Sequence, residues 1–324
     1  MMNFTLKQLR YFEALAKHCH FGRAAAACSI SQPALSVQIK ELEQEIGSAL
    51  FERSARHVRL TIFGEEFATR VREILRSVDE VGDLARAAKD QLVGRLRMGV
   101  IPTVAPYLLP TIIGNIARSH AGVDLHIRES MTQALVRELR DGRLDAALVA
   151  LPVSEPSFSQ VALFEESFVL VRPKTDEGKP VPSADALRNM RLLLLEEGHC
   201  FRDQALSYCN IQTTVPRDGL DGTSLATLVQ LVSAGIGVTL IPDMAVGIET
   251  RSAPVAISRF RNPLPGRRIG MIWRSSSPLA KDLLQIADVV RQSADEVKSR
   301  TASNAEQKPP CHETDEKLGR AAPL

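Results

Sequence analysis

Near the start of the chain, apolar side chains recur every three or four positions. In "LKQLRYFEALAKH" they set Leu6, Leu9, Phe12 and Leu15/Ala16 on one face, the period of an amphipathic helix. The next stretch, "FGRAAAACSISQPALSVQIKELEQEIG", predicts a small-residue helix, a break at Ser29-Ile30-Ser31 and a second helix. Ser31 suits the N-cap, where a hydroxyl accepts from an unpaired backbone amide, and Pro33 suits the first turn, where a missing N–H costs nothing. Two helices joined by a turn of about three or four residues form a helix-turn-helix. Leu35, Ile39, Leu42 and Ile46 make the buried stripe of its second helix. "LFERSARHVRLT", basic and β-leaning at its end, suits a wing.

A long helix is predicted over Ile62–Leu92. Phe67, Val71, Ile74, Val78, Val81, Ala85, Ala88 and Leu92 alternate at spacings of four and three, the seam of a dimerising coiled coil. The competing reading is a helix packed on its own domain. After Gly94 the pattern changes. "RLRMGVIP", "VDLHIRE", "AALVAL", "SFVLVRP", "RLLLLEE", "GVTLIP", "VAISRF" and "IGMIWR" read as strands. "TQALVRELRDG", "SLATLVQLVSAG" and "SPLAKDLLQIADVVRQ" read as helices between several of them, an α/β pattern with a mostly parallel sheet. From about Thr301 the chain lacks apolar periodicity and is expected to be a disordered tail. The expected organisation is residues 1–61, a linker helix at 62–92, a regulatory part at 93–300 and the tail at 301–324.

Composition excludes little on its own. The 324 residues suffice for two or three domains, and 44% hydrophobic with 24% charged residues is ordinary for a globular protein. Net charge is only +2, but residues 1–62 hold eight Lys/Arg against five Asp/Glu, a local excess of three. The start, "MMNFTLKQLRYFEALAK", interrupts the apolar core that an export signal needs, and no window is long enough to span a bilayer. A cytoplasmic protein is expected, with no membrane partner. There glutathione keeps ordinary thiols reduced, so Cys19, Cys28, Cys200, Cys209 and Cys311 do not form a permanent disulfide framework. A redox-responsive pair stays open. Cys19 and Cys28 lack a charged setting and read as buried small residues. No motif supports zinc, haem or a nucleotide cofactor.

A recognition helix offers its N-terminal side chains to base edges in the major groove of double-stranded DNA. Those are Gln32, Pro33, Ser36 and Val37, with Gln38 and Lys40 a turn further on. Arg53, Arg56, His57 and Arg59 of the wing can reach phosphates, which fix position without reading sequence. DNA affinity should then fall steeply as salt rises. "F-x-R-A-A", "S-Q-P-A-L-S-x-Q-I-K-x-L-E" and "L-F-E-R" together resemble the winged helix-turn-helix of the LysR-type transcriptional regulators, without gaps over about sixty residues. The resemblance implies an α/β protein with a dimerising coiled-coil linker helix and a two-lobed effector domain like a periplasmic binding protein. The lobes would fall at about 93–164 with 268–300 and at about 165–267. It also implies promoter DNA and RNA polymerase as partners and a homotetramer. An ordinary member would bind a small organic effector between the lobes.

Three stretches point instead to the hydrogen-peroxide-sensing branch of that family: "GVIPTVAPYLLP", "ESMTQALVREL" and "LEEGHCFRDQALSYC". The third is the most specific, because "GHC-x-RDQA" with a second cysteine nine residues after the first is not general to the family. By that resemblance Cys200 reacts with peroxide and Cys209 resolves it into a disulfide. Thr103 and Thr132 are nominated to position peroxide, with Asp203 and Gln204 in support. Without the family, Thr103 reads as part of a strand-end turn and Thr132 as a helix N-cap. The chemistry is consistent: a thiolate is the nucleophile, nearby cations lower a thiol's pKa, and His199 and Arg202 flank Cys200. If one helix separates the two cysteines, their nine-residue spacing puts them about 13 Å apart and on opposite faces. A disulfide needs Cα atoms within about 7 Å, so the helix must be undone first. The stretch "NIQTTVPRDGLD", next to this pair, departs from the branch pattern. An enzyme, a thiol peroxidase using the same cysteines, is disfavoured by the DNA-reading front end. A solute-binding transport protein is disfavoured by the same front end and the missing export signal.

Overall fold

The computed structural model describes residues 3–53, 58–87, 93–209, 221–260 and 264–306, with backbone alone at 53, 83–87 and 301–306. Its first unit is three helices and a hairpin. Helix α1 (Leu6–His18) opens on a capping box, in which the Thr5 hydroxyl accepts from the Gln8 amide while the Gln8 side chain accepts from the Thr5 amide. Helix α2 (Phe21–Ala27) and α3 (Gln32–Ile46) form the helix-turn-helix. Ser31 caps α3 by accepting from the Ala34 amide at 3.3 Å, Pro33 stands in the first turn, and Gly47 ends the helix at a positive φ of 76°. Strands β1 (Phe51–Arg53) and β2 (Val58–Leu60) pair antiparallel as the wing, with Glu52 opposite Arg59.

Helix α4 (Ile62–Ala87) follows. Its expected seam divides. Phe67 packs edge-on against Phe12 with ring centroids 5.0 Å apart, and Val71, with Ala68 and Leu75, closes the core formed by Leu9, Phe12, Leu15, Leu35, Ile39 and Leu42. Those positions satisfy the competing reading, a helix packed on its own domain. Phe63, Ile74 and Val81 stay exposed on another face, and Val78 is half-buried. Ala88 and Leu92 lie outside the described residues. Further along, α4 meets the rest of the chain: Arg76 Nη1 donates to the Arg140 carbonyl at 3.2 Å, and Glu80 pairs with buried Arg274 at 3.7 Å.

The remainder is α/β: β3 (Gly94–Val100), α5 (Ala105–Ser119), β4 (Val123–Glu129), α6 (Thr132–Arg140), β5 (Ala146–Leu151) and β6 (Phe158–Pro173). Then come α7 (Ala184–Arg188), β7 (Leu192–Leu193), α8 (Cys200–Tyr208), α9 (Leu225–Ser233) and β8 (Val238–Pro242). The last are α10 (Val246–Glu249), β9 (Val255–Arg259), β10 (Gly266–Arg274) and α11 (Ala280–Glu306). The strands run in the order β4-β3-β5-β10-β6-β8-β7, with β9 also on β6.

This corrects the expected mostly parallel sheet. Among the strands of the described residues, β3–β4, β3–β5 and β7–β8 are parallel, whereas β10–β5, β10–β6, β6–β8 and β6–β9 are antiparallel. The reason is β6. It is sixteen residues long, pairs with β10 over its first part and with β8 and β9 from Phe168 to Pro173, and so serves both halves of the sheet. The sequence reading caught only its second half, because "QVALFEE" breaks strict alternation with two adjacent acids. The last helix runs through Glu306, six residues into the expected tail; residues 307–324, with Cys311, lie outside the described residues. No helix among the described residues is long and apolar enough to cross a membrane.

Candidate functional site

Helix α8 carries the cysteine pair. The backbone enters it through Gly198, whose φ of +97° lets the chain reverse out of the β7 extension. His199 is the N-cap residue, Cys200 the first helical residue and Cys209 the C-cap, its amide donating to the Ala205 carbonyl at 3.2 Å. Phe201, Ala205 and Leu206 are buried along the inner face. Cys209 is fully buried, whereas Cys200 is half-exposed on the other side, where it lines a cleft of about 600 Å³. Neither thiol is in a disulfide. The geometric expectation holds: one ordered helix stands between the sulfurs. A nine-residue helix is below the roughly 12–15 residues at which isolated helices become stable, so packing must hold it. Phe201 supplies much of that packing, edge-on to Phe168 at 4.7 Å and under the Arg267 guanidinium at 5.3 Å.

The cleft at Cys200 lies between α8, α6 and the β5–β6 turn. Asp203 and Gln204 line it from α8, and Thr132, Arg137 and Arg140 from α6. Thr132 is not the N-cap of α6; that is Met131, and Thr132 is the first helical residue. Its hydroxyl is therefore not consumed in capping. Thr132 Oγ1 and Gln204 Oε1 are both buried without a hydrogen-bond partner among the described residues. A buried polar atom left unpaired costs about 1–3 kcal/mol. Both side chains line the cleft beside the half-exposed Cys200 thiol.

The other nominated residues are placed differently. Thr103, in the turn after β3, is buried and its hydroxyl accepts from Arg267 Nη1 at 2.7 Å, while its carbonyl accepts from Nη2 at 3.0 Å. Arg267 also holds Glu166 at 2.8 Å, with both side chains essentially without exposure. Burial pushes the Glu166 carboxyl up, and the Arg267 charge pulls it back. Thr103 thus stands behind Arg267, which touches Phe201 next to Cys200. Arg267 and Glu166 escaped the sequence reading, because a basic residue opening a strand carries no local signal; only tertiary pairing across about a hundred residues gives it a role.

His199 and Arg202, expected as cations beside the thiol, are engaged elsewhere. His199 is buried, and that burial depresses its pKa, so the ring favours the neutral form. Arg202 Nη1 donates to the Leu195 carbonyl at 2.7 Å and pairs with Asp221 at 2.9 Å. It thereby ties α8 to Asp221, the last residue of the divergent stretch, whose residues 210–220 lie outside the described residues.

On the first unit, Gln32, Pro33, Val37 and Lys40 are exposed along α3, with Val37 at 54%, and Ser36 and Gln38 are half-buried. Gln38 Nε2 donates to Glu41 at 2.7 Å. Arg59 is exposed on β2 and Arg53 ends β1, while Arg56 and His57 lie outside the described residues. Cys19 corrects the reading of a buried small residue: it is exposed, because it ends α1 in the left-handed region at φ 48° with its thiol donating to the Ala16 carbonyl. Cys28 is half-buried at the end of α2.

Two families match the chain: the bacterial regulatory helix-turn-helix protein, lysR family, over residues 6–65, and the LysR substrate binding domain over residues 89–295. Among curated relatives, a probable hydrogen peroxide-inducible genes activator of Streptomyces viridosporus is 42% identical over 89% of this chain and 94% of that protein. The DNA-binding transcriptional dual regulator OxyR of Escherichia coli K12 is 38% identical over 90% and 96%. Among solved structures, a cysteine-to-serine variant of Corynebacterium glutamicum OxyR in its H2O2-bound form superimposes with a TM-score of 0.65 at 36% identity, covering 94% of this chain and 96% of that one.

Proposed function

Because the chain belongs to the LysR family of bacterial helix-turn-helix regulators, and to its OxyR branch, we propose that it is a transcription factor that senses hydrogen peroxide through Cys200 and Cys209. The observation that carries this reading is the cleft lined by Cys200, Thr132 and Gln204, in which the Thr132 hydroxyl and Gln204 carbonyl oxygen have no hydrogen-bond partner among the described residues, while Cys209 is buried at the far end of the same helix. Hydrogen peroxide has the matching chemistry, two O–H donors and two acceptor oxygens.

In this reading the Cys200 thiolate attacks one peroxide oxygen and the O–O bond breaks. Sulfur is oxidised to a sulfenic acid and the leaving hydroxide takes a proton to become water. The Thr132 hydroxyl donates to the developing oxyanion, and Gln204 Oε1 accepts from the peroxide O–H. Arg267 fixes Thr103 and the base of α8, so both serve as positioning residues. The Cys209 thiolate then attacks the sulfenic sulfur, a second hydroxide leaves as water, and a disulfide forms. With about 13 Å of helix between them, α8 must come apart for this to occur.

The redox state is read by DNA. Gln32, Pro33, Ser36, Val37, Gln38 and Lys40 face the major groove and Arg53, Arg56 and Arg59 the phosphates. The exposed stripe of α4 joins two chains, a tetramer presents two such pairs, and RNA polymerase is the downstream partner in the cytoplasm. The controlled genes are of the antioxidant class, catalases and peroxidases. The test is mass spectrometry after dilute peroxide. A loss of two hydrogens that joins the Cys200 and Cys209 peptides, absent in Cys200→Ser, together with an altered promoter footprint, is expected. An unchanged footprint with the disulfide formed would overturn the reading.

A further inference from the structure

The described methionines fall into two groups. Met98, Met190, Met244 and Met271 are all packed in or against the central hydrophobic core. Met131 is not. It lies between β4 and α6, is half-exposed, and lines a second cleft with Glu196, Gly198, His199 and Thr223. It is also the N-cap of α6, one residue before Thr132. Its sulfur rests on Gly198, two residues before Cys200: a Cβ built at Gly198 would come within 2.7 Å of Met131 Sδ. The thioether fills the space that the missing side chain leaves, and fastens the loop entering α8 to the start of α6.

We propose that Met131 is a second, slower peroxide-oxidised sulfur of the sensing site, whose sulfoxide loosens the entry to α8 and favours the disulfide form. The proposal rests on the peroxide-sensing reading for its oxidant. A lone pair of Met131 Sδ attacks one oxygen of hydrogen peroxide and the O–O bond breaks. That oxygen stays on sulfur as the sulfoxide, and the departing hydroxide takes the remaining proton and leaves as water. Sulfur loses two electrons and peroxide gains them. A thioether has no thiolate form, so it reacts after Cys200 and records sustained exposure. The product is polar and carries an oxygen on an atom pressed against Gly198. Either that oxygen turns outward and the sulfur lifts, or it meets the Gly198 backbone. In both cases the loop at 196–199 parts from α6, and the helix that must come apart for disulfide formation is less firmly held. Sulfoxide reductases reverse the change.

The test treats full-length protein and its Cys200→Ser variant with excess hydrogen peroxide and follows the tryptic peptide "ESMTQALVR", whose only oxidisable sulfur is that of Met131. In both proteins this peptide should gain one oxygen before Met98, Met190, Met244 or Met271 does. Met131→Gln, which places a polar amide where the sulfoxide would be, should shift the thiol–disulfide equilibrium towards disulfide by about fivefold to thirtyfold. Met131→Leu should stay at the unoxidised position after the same treatment. Oxidation at Met190 ahead of Met131, or Met131→Gln and oxidised protein that both keep the untreated equilibrium, would overturn the proposal. Failure of the Cys200–Cys209 disulfide to form would strike the sensing reading instead, and the peptide from Cys200→Ser still reads Met131 by itself.

Discussion

Cys200 and Cys209 stand at the two ends of one short helix, the first half-exposed in a cleft and the second without any exposure in the core. Order in the backbone keeps them apart. What holds that order is packing, above all at Phe201, wedged between Phe168 and Arg267. Truncating a buried phenylalanine to alanine costs about 3–5 kcal/mol where the side chain is packed. In the proposed mechanism α8 gives up this packing on oxidation, so that loss falls on the reduced form. Phe201→Ala should therefore shift the thiol–disulfide equilibrium towards disulfide by tenfold or more, read by titration against a dithiol buffer. An equilibrium unchanged from the parent, with the fold intact by circular dichroism, would mean that α8 is not what opposes the bond.

In the proposed mechanism Thr132 positions peroxide and leaves the reactivity of the thiol unchanged. Its hydroxyl is buried and unpartnered, and Thr132→Val keeps the shape while removing the donor. A donor aimed at a developing oxyanion is worth about a hundredfold or more in rate. The peroxide rate of Thr132→Val should fall by about that factor, followed by loss of free thiol in stopped flow. Alkylation of Cys200 by iodoacetamide, which needs no oxyanion donor, should be little changed. Equal losses in both reactions would assign Thr132 to thiol activation instead.

The two faces of α4 give opposite expectations for the same substitution. Val81 is 69% exposed and Val71 only 1%. Val81→Asp should leave the helix-turn-helix folded and weaken self-association, seen as a lower mass in sedimentation. Val71→Asp puts an unpaired charge into the core shared with Phe12 and Leu35, and should unfold the first unit. Unaltered association of the Val81 variant would move the dimer contact off this stripe.

The first sixty residues were legible almost throughout, since Ser31, Pro33 and the stripe Leu35-Ile39-Leu42 act over a few residues and each states its own geometry. The helix between the cysteines was only a conditional expectation, since its nine residues carry no side-chain cap and are held by packing at Phe201. The α4 seam was half legible: spacing identifies apolar faces, but it does not say that Val71 finds its partners at Leu9 and Phe12 of the same chain. Sheet direction was misread because β6 serves two half-sheets, a property of topology and not of any window along the strand. At the site, Thr132 and Gln204 came from resemblance, and spacing alone would have made Thr132 a cap. Arg267 and Glu166 came from neither, for their pairing joins positions about a hundred residues apart.

His199 makes the sensing loop sensitive to acid. Burial depresses its pKa below the ordinary 6.5, while Glu196 acts the other way to a smaller extent. In the pH window between the ordinary value and the depressed one, the unfolded or opened loop binds a proton that the native loop does not. Stability rises with pH wherever the open state holds more protons, so the native loop is fully stable above about pH 6.5 and loses stability as pH falls through that value. The loss ends once pH drops below the depressed pKa, where both states are protonated. His199 directly precedes Cys200, so the local consequence is a looser start to α8 in mild acid. Amide hydrogen exchange over residues 196–205 should quicken between about pH 7 and pH 5.5 beyond the intrinsic pH dependence of exchange, and the excess should vanish in His199→Gln. An excess that persists in His199→Gln would assign the acid sensitivity to another group, and exchange that follows the intrinsic profile alone would remove His199 from the control of α8.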